Sequence, residues 1–158
     1  MGAVEQSYES VEAYLSTLDE SYDSFTINQT TLAVSSARYE RERERAIAGA
    51  VDLYTKVRND DCEVLHLRKQ DELVLPSTRT ATTPLEHVAT EMVEGRTGVT
   101  CQIDGVEHAT ILGIHDGGAD HATIYRLLVV FEAQHTDGSP AENAVWQSKS
   151  EEPQLVLS

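Results

Sequence analysis

Two glutamates, Glu91 and Glu94, stand three residues apart in a stretch, Thr83 to Val99, whose apolar residues recur at helical spacing. That separation puts both carboxylates on one helical face, where they could share a divalent cation. Mg2+ takes octahedral oxygen ligands and keeps several waters, so two carboxylates completed by a substrate phosphate would hold it weakly, with Mn2+ as a substitute. In a chain with 27 acidic residues, the plainer reading of such a pair is a solvated helix face. Other residues compete for the same attention. His115 and His121 flank a turn containing Asp116 and Asp120, with His108 upstream. On an extended strand His108 and His115 face opposite ways, so a polar turn is expected there in preference to a transition-metal site. Arg126 lies inside the apolar run Ile124 to Phe131 and needs either a structural carboxylate or a ligand phosphate as partner. Four arginines fall between Arg38 and Arg45, but the interleaved Glu40, Glu42 and Glu44 can pair with them, which favours a solvated helix over a phosphate-binding patch. Trp146, the only tryptophan, either stacks a base or, more commonly, buttresses a core. No Ser-His-Asp, Cys-His or phosphate-cradling glycine pattern stands out.

The elements that must position these residues follow from periodicity. Val4, Tyr8, Val11, Leu15 and Leu18 recur at steps of four and three, which predicts an amphipathic helix over residues 3 to 19. Phe25 to Val34, rich in threonine and β-branched residues, reads as a strand. Ser35 or Ser36 then caps a helix from Ala37 to Ala48, stopped by Gly49. Val51 to Val57 and Cys62 to Leu67 read as a hairpin, Leu73 to Leu75 as a short strand, and Pro84 to Glu94 as a helix with Val88, Ala89 and Met92 inward. A strand to Ile103, a strand Glu107 to His115, a turn at 116–120 and a strand Ala122 to Ala133 come next, the last buried on both faces. A loop over His135 to Pro140, the segment Ala144 to Trp146 and an acidic tail complete the chain.

Composition bounds the rest. The 158 residues, 40% of them apolar, suffice for one packed domain with a terminal appendage. No apolar run is long enough to span a bilayer and Met1 to Glu12 is acidic and polar, unlike a secretory signal, so a cytoplasmic protein without membrane association is expected. A formal charge of −15 spread along the chain, with only three lysines among 12 basic residues, reads as adaptation to high salt and disfavours nucleic acid as a partner. Cys62 and Cys101 lack CxxC spacing and are expected to be buried thiols in a reducing compartment.

From Leu75-Pro76-Ser77-Thr78 through TPLEHVATEMVEGRTGV (Thr83 to Val99), the sequence resembles a Nudix box, G-x5-E-x7-R-E-U-x-E-E-x-G-U with U apolar. Anchored on Thr83-Pro84-Leu85-Glu86, the arginine position holds Thr90, and Glu91 and Glu94 fill two glutamate positions around Met92. Gly95 then replaces the last glutamate, and Arg96 is an extra residue before Thr97-Gly98-Val99. Anchored without a gap on Gly98-Val99, Glu91 takes the arginine position, and Met92, Gly95 and Arg96 take those of the glutamates. The first alignment keeps Ala89 and Met92 inward and is preferred. In both, the loop glycine is replaced by Pro76 or Ser77 and the upstream glutamate by Thr82 or Thr83. The resemblance covers roughly Val51 to Leu157. It implies an α+β fold, an α/β/α sandwich with a mixed sheet over 51–158, preceded by a helix-strand-helix extension over 1–50 that is similar to extensions of haloarchaeal Nudix-like proteins. It also implies a hydrolase of nucleoside-diphosphate-linked compounds in which Glu91 and Glu94 hold Mg2+ and a metal-activated water attacks. The replaced positions predict activity reduced or lost, the alternative being an inactive module that binds a nucleotide-derived molecule or a partner. The extension would pack on the domain or on a second copy, giving a homodimer.

Overall fold

Alternation in Val51 to Val57 calls for a strand with one face on a core, and the unbroken apolar run from Leu127 to Phe131 for a central strand covered on both faces. The computed structural model, which describes residues 2–118 and 122–148, has both strands and pairs them with each other in parallel. In chain order its elements are α1 (Ala3–Ser21), β1 (Thr26–Val34), α2 (Ser36–Ile47), β2 (Val51–Arg58), β3 (Val64–Lys69), β4 (Glu72–Val74), β5 (Ser77–Thr80), α3 (Leu85–Thr97), β6 (Thr100–Asp116), β7 (Ile124–Asp137) and β8 (Ala144–Gln147). The strands run β1-β6-β7-β2-β3-β4, with β5 also pairing β2 and β8 pairing β3. The β1/β6 and β2/β7 pairs are parallel and the other pairs antiparallel, so the sheet is mixed. No described helix is long and apolar enough to cross a membrane.

Strand parity sorts the core into layers. Val51 and Leu53 of β2 and Leu127, Val129 and Phe131 of β7 share one face and pack with Val11 and Leu18 of α1 and Leu85 and Ala89 of α3. Leu112, Ile114 and Ile124 occupy the opposite face and pack with Tyr39 and Ala46 of α2. Helices therefore cover both faces of the sheet, the expected α/β/α sandwich, and α1 contributes to the same core as α3. A further cluster joins Met92 and Val93 of α3 to Val57, Leu65, Ala133 and Ala144, with Trp146 packed against it, so the tryptophan buttresses the core.

Several local expectations are corrected. Cys62 is exposed, because it sits with φ 61° in the β2–β3 turn, where its N–H bonds Asn59 O at 3.1 Å; only Cys101 is buried. β2 and β3 share a single residue pair, Arg58 with Val64, because the first half of β2 is taken by β5. The two strands expected between 100 and 115 are one, β6, whose bends are absorbed by register shifts at Thr100/Cys101, Ile103/Gly105 and Val106/His108. His135 and Asp137 prolong β7 instead of starting a loop. In α1 the buried positions include Ser7, while Tyr8 is 42% exposed. The N–H of Tyr125 donates to Ser7 Oγ at 3.1 Å, so a small hydroxyl fits where the helix crosses the strand. Tyr8 lies edge-on to the Tyr125 ring, centroids 5.2 Å apart.

Candidate functional site

Helix α3 begins after Pro84 and ends at Gly98, which takes the left-handed conformation at φ 77°. A Cβ on Gly98 would lie 3.1 Å from Ser139 O, and one on Gly138 (φ 82°) would lie 2.4 Å from Gly98 O, so two glycines let the helix end and the loop after β7 touch through their backbones. Ala141 N–H bonds Thr97 O at 2.8 Å and Asn143 Nδ2 bonds Arg96 O at 3.0 Å, which fixes the helix end further. The helix buries Leu85, Ala89, Met92, Val93 and Thr97 and turns Glu91 and Glu94 outward, with Val88 partly buried. It runs three residues beyond Glu94, placing Gly95 and Arg96 in its last turn.

Three neighbours shape what these glutamates can do. His87 Nε2 lies 3.0 Å from Glu91 Oε1 in a pair whose side chains are 68% and 69% exposed. Thr90, at the arginine position of the preferred alignment, donates its hydroxyl to the His87 carbonyl at 3.0 Å, so it is occupied with its own helix and orients neither glutamate. Arg96 Nη1 donates to the carbonyl of Ser77. The segment expected as a loop, Pro76-Ser77-Thr78, runs into β5: Ser77 pairs with Tyr54, Thr78 with Leu53, and Pro76 O accepts from Thr55 N at 3.1 Å. Extended backbone needs no glycine, which accounts for proline and serine there. Glu86, earlier on the helix, accepts from Tyr22 OH at 2.8 Å and ties α1 to α3. Burial, then this glutamate, raises the Tyr22 pKa.

The family resemblance implies Mg2+ on Glu91 and Glu94. The residues present do not fit a resident ion: the pair is open to solvent, Glu91 is engaged by His87, and the next position along that face is Gly95 followed by a cationic Arg96. Among the described residues no three His, Cys, Asp or Glu side chains converge as a metal-holding group. His108 and His115 stand on opposite faces of β6, whereas Asp120 and His121 lie outside the described residues. A groove of about 510 Å3 opens between the start of α1, Tyr39, Arg43 and Ile124, with no α3 residue in its wall.

The partner that Arg126 requires is supplied by carboxylates. Its Nη1 donates to Glu42 Oε1 at 2.5 Å, its Nη2 to Asp52 Oδ2 at 2.7 Å and its Nε to Ala50 O at 3.1 Å, all with the guanidinium fully buried. Glu42 also accepts from Arg45 at 2.5 Å, and Asp52 from Arg79 at 3.0 Å. Burial pulls the Arg126 pKa down, and Asp52 and then Glu42 oppose it. Glu42 thus departs from the expected solvated helix. Only its place opposite Arg126 separates it from Glu40 and Glu44, and that pairing across the fold has no local signal in the sequence. Lys56, also buried, meets Glu107 at 2.8 Å from the bulged part of β6.

No family model matches the sequence, and no curated protein matches it significantly. Among solved structures the chain is similar to the mutator MutT protein of Bacillus halodurans, with 19% identity and a TM-score of 0.47 over 62% of this chain and 67% of that one. It is similar to a UDP-X diphosphatase at 13% identity and 0.46, over 87% and 59% of the two chains. A Sinorhizobium meliloti protein described as an oxidoreductase is similar at 16% identity and 0.45, over 70% and 35%. The chain spans about a third of the Sinorhizobium protein and under two thirds of the diphosphatase. At these identities and scores the likeness concerns the course of the backbone and lends no weight to a site or a substrate.

Proposed function

We propose that this chain is a Nudix-type domain, related to hydrolases of nucleoside-diphosphate-linked compounds, that turns such compounds over very slowly or not at all. The box-like segment, its placement as a helix following a strand against a mixed sheet, and the outward direction of Glu91 and Glu94 support the relationship. One observation carries the loss of turnover: the outward face of α3 offers two carboxylates where the box has three, with an arginine beside them and a threonine that bonds its own helix at the position of the orienting arginine. A metal site typically weakens by about tenfold to a hundredfold for each missing outer-shell partner, and here a ligand is absent as well.

The test is steady-state phosphate release from nucleoside-diphosphate derivatives with Mg2+ or Mn2+ in molar salt, comparing the natural chain with Glu91→Gln and Glu94→Gln. Turnover at the background rate in all three is expected. Robust turnover abolished by either substitution overturns the proposal. Gly95→Glu is a useful companion, because a Cβ there meets nothing within 4 Å and the helix accepts the side chain. With Thr90→Arg it should raise Mg2+ affinity, read by calorimetry.

A further inference from the structure

Charged side chains of α2, β7, β2 and β5 form one alternating row. Arg45 pairs with Glu42, Glu42 with Arg126, Arg126 with Asp52 and Asp52 with Arg79. Every carboxylate oxygen in the row takes a guanidinium: Glu42 Oε2 from Arg45 and Oε1 from Arg126, Asp52 Oδ2 from Arg126 and Oδ1 from Arg79. Three cations therefore stand against two anions, a local surplus of positive charge in a chain whose net charge is −15. Both ends of the row are cations that reach solvent, Arg45 at 25% and Arg79 at 30% exposure, whereas Arg126 between them is fully buried.

At the Arg79 end this surplus meets unused donors. β5 sets Arg79 opposite Asp52 and Ser77 opposite Tyr54, and directly opposed residues share a face of the sheet. Leu53, between Asp52 and Tyr54, packs with α1 and α3, so these four side chains occupy the other face, away from Glu91 and Glu94. Arg79 spends only its Nε, on Asp52 at 3.0 Å. Among the described residues its two terminal NH2 groups, Tyr54 Oη and Ser77 Oγ have no hydrogen-bond partner, and all three residues are partly exposed. Burial and then Asp52 raise the Tyr54 pKa, with Arg79 opposing, so at neutral pH the phenol keeps the proton it can donate.

We propose that Arg79, Tyr54 and Ser77 bind the phosphate group of a small ligand, the Nη1/Nη2 edge of Arg79 holding two of its oxygens and the hydroxyls a further one. A guanidinium fork matches phosphate in charge and in geometry. A carboxylate has only two oxygens and leaves the hydroxyls unused, which favours the tetrahedral anion. The bound anion also supplies the negative charge that the row lacks. Because the site lies on the opposite face from α3, it does not depend on how the box-like segment is read.

Calorimetric titration of the full chain with inorganic phosphate tests the proposal. It is run with EDTA to exclude metals and in molar potassium chloride, which screens the repulsion from a −15 chain and leaves the local contacts. The natural chain should bind one phosphate. Arg79→Gln should weaken binding by about tenfold or more, and Tyr54→Phe, which removes one hydroxyl and keeps the ring, by about threefold or more. Arg68→Gln, at an exposed arginine of β3, should change nothing, and circular dichroism should be the same for all variants. AMP in place of phosphate separates two sources of the same group: tighter binding marks a nucleotide, equal binding the free anion. No heat at millimolar phosphate, an affinity that both Arg79→Gln and Tyr54→Phe leave intact, or an equal loss with Arg68→Gln overturns the proposal. None of these results bears on turnover at α3.

Discussion

Replacing Glu42 with methionine removes one carboxylate from a fully buried ion pair and leaves Arg126 with Asp52 at 2.7 Å and the Ala50 carbonyl at 3.1 Å. Breaking a buried pair by deleting one partner costs about 3–5 kcal/mol, because the remaining charge stays out of water. Asp52 still pairs, although it is shared with Arg79, which places the expected loss near the low end, about 3 kcal/mol. For a domain of this size the melting temperature should fall by about 6–12 °C. The double variant Glu42→Met/Arg126→Met takes out both charges: Asp52 keeps Arg79 at 3.0 Å, and Arg45 is one-quarter exposed and open to solvent. Its stability should return to within about 1 kcal/mol of the natural chain, so the two substitutions couple by about 2 kcal/mol or more. Urea unfolding at fixed molar potassium chloride, followed by circular dichroism, measures all the terms of the cycle. A loss under about 0.5 kcal/mol for Glu42→Met, the size of an ordinary surface change, would refute the reasoning. So would a double variant as unstable as the sum of the singles.

Three further outcomes are expected. With net charge −15, the fold should loosen as salt is lowered, since the Debye length grows from about 3 Å at molar to about 30 Å at 10 mM salt; melting curves that do not move between molar and millimolar potassium chloride would remove the salt-adapted reading. A thiol reagent near neutral pH should titrate Cys62 alone in the folded chain and both cysteines in urea. The Cys101 thiol is pushed up to about 11 by burial and, second, by Glu94. A folded pKa above the ordinary value of 9.0 means that this contribution to stability is whole below pH 9 and fades as pH climbs towards about 11. The natural chain should therefore lose more stability over that interval than Cys101→Ala does, and an equal loss would contradict the assignment.

Much of the fold is legible in the sequence because its elements announce themselves locally. The unbroken run Leu127 to Phe131 marks a strand covered on both faces, Ser35 caps α2 by accepting from Arg38 N at 3.3 Å, and Ala89 and Met92 set the register of α3. The failures share a cause. Pro76-Ser77-Thr78 has turn-like composition, yet β2 offers an open side there and recruits it as a strand. Glu42 is indistinguishable in sequence from Glu40 and Glu44, and only a charge brought over from β7 selects it. Arg126, conspicuous from its apolar neighbours, shows that a partner must exist without saying which. The outward pair Glu91 and Glu94 is legible from spacing alone, whereas the contact of Arg96 with Ser77 depends on where two separate elements meet.

The parallel pairing of β1 with β6 has a consequence for how the chain is made. Thr26 pairs with His108 and Val34 with Asp116, so β1 has no ladder to join until most of the chain has been synthesised. At typical elongation rates that wait is on the order of ten seconds, during which an uncharged, β-prone strand has both edges free. Contacts so distant in sequence also form slowly once the chain is released. The sequence on either side is charged, with Asp19, Glu20 and Asp23 before the strand and the alternating charges from Glu40 to Arg45 after it, the kind of flank that opposes edge-to-edge pairing of strands. The strand that waits longest for its partner is thus also one bracketed by charge on both sides.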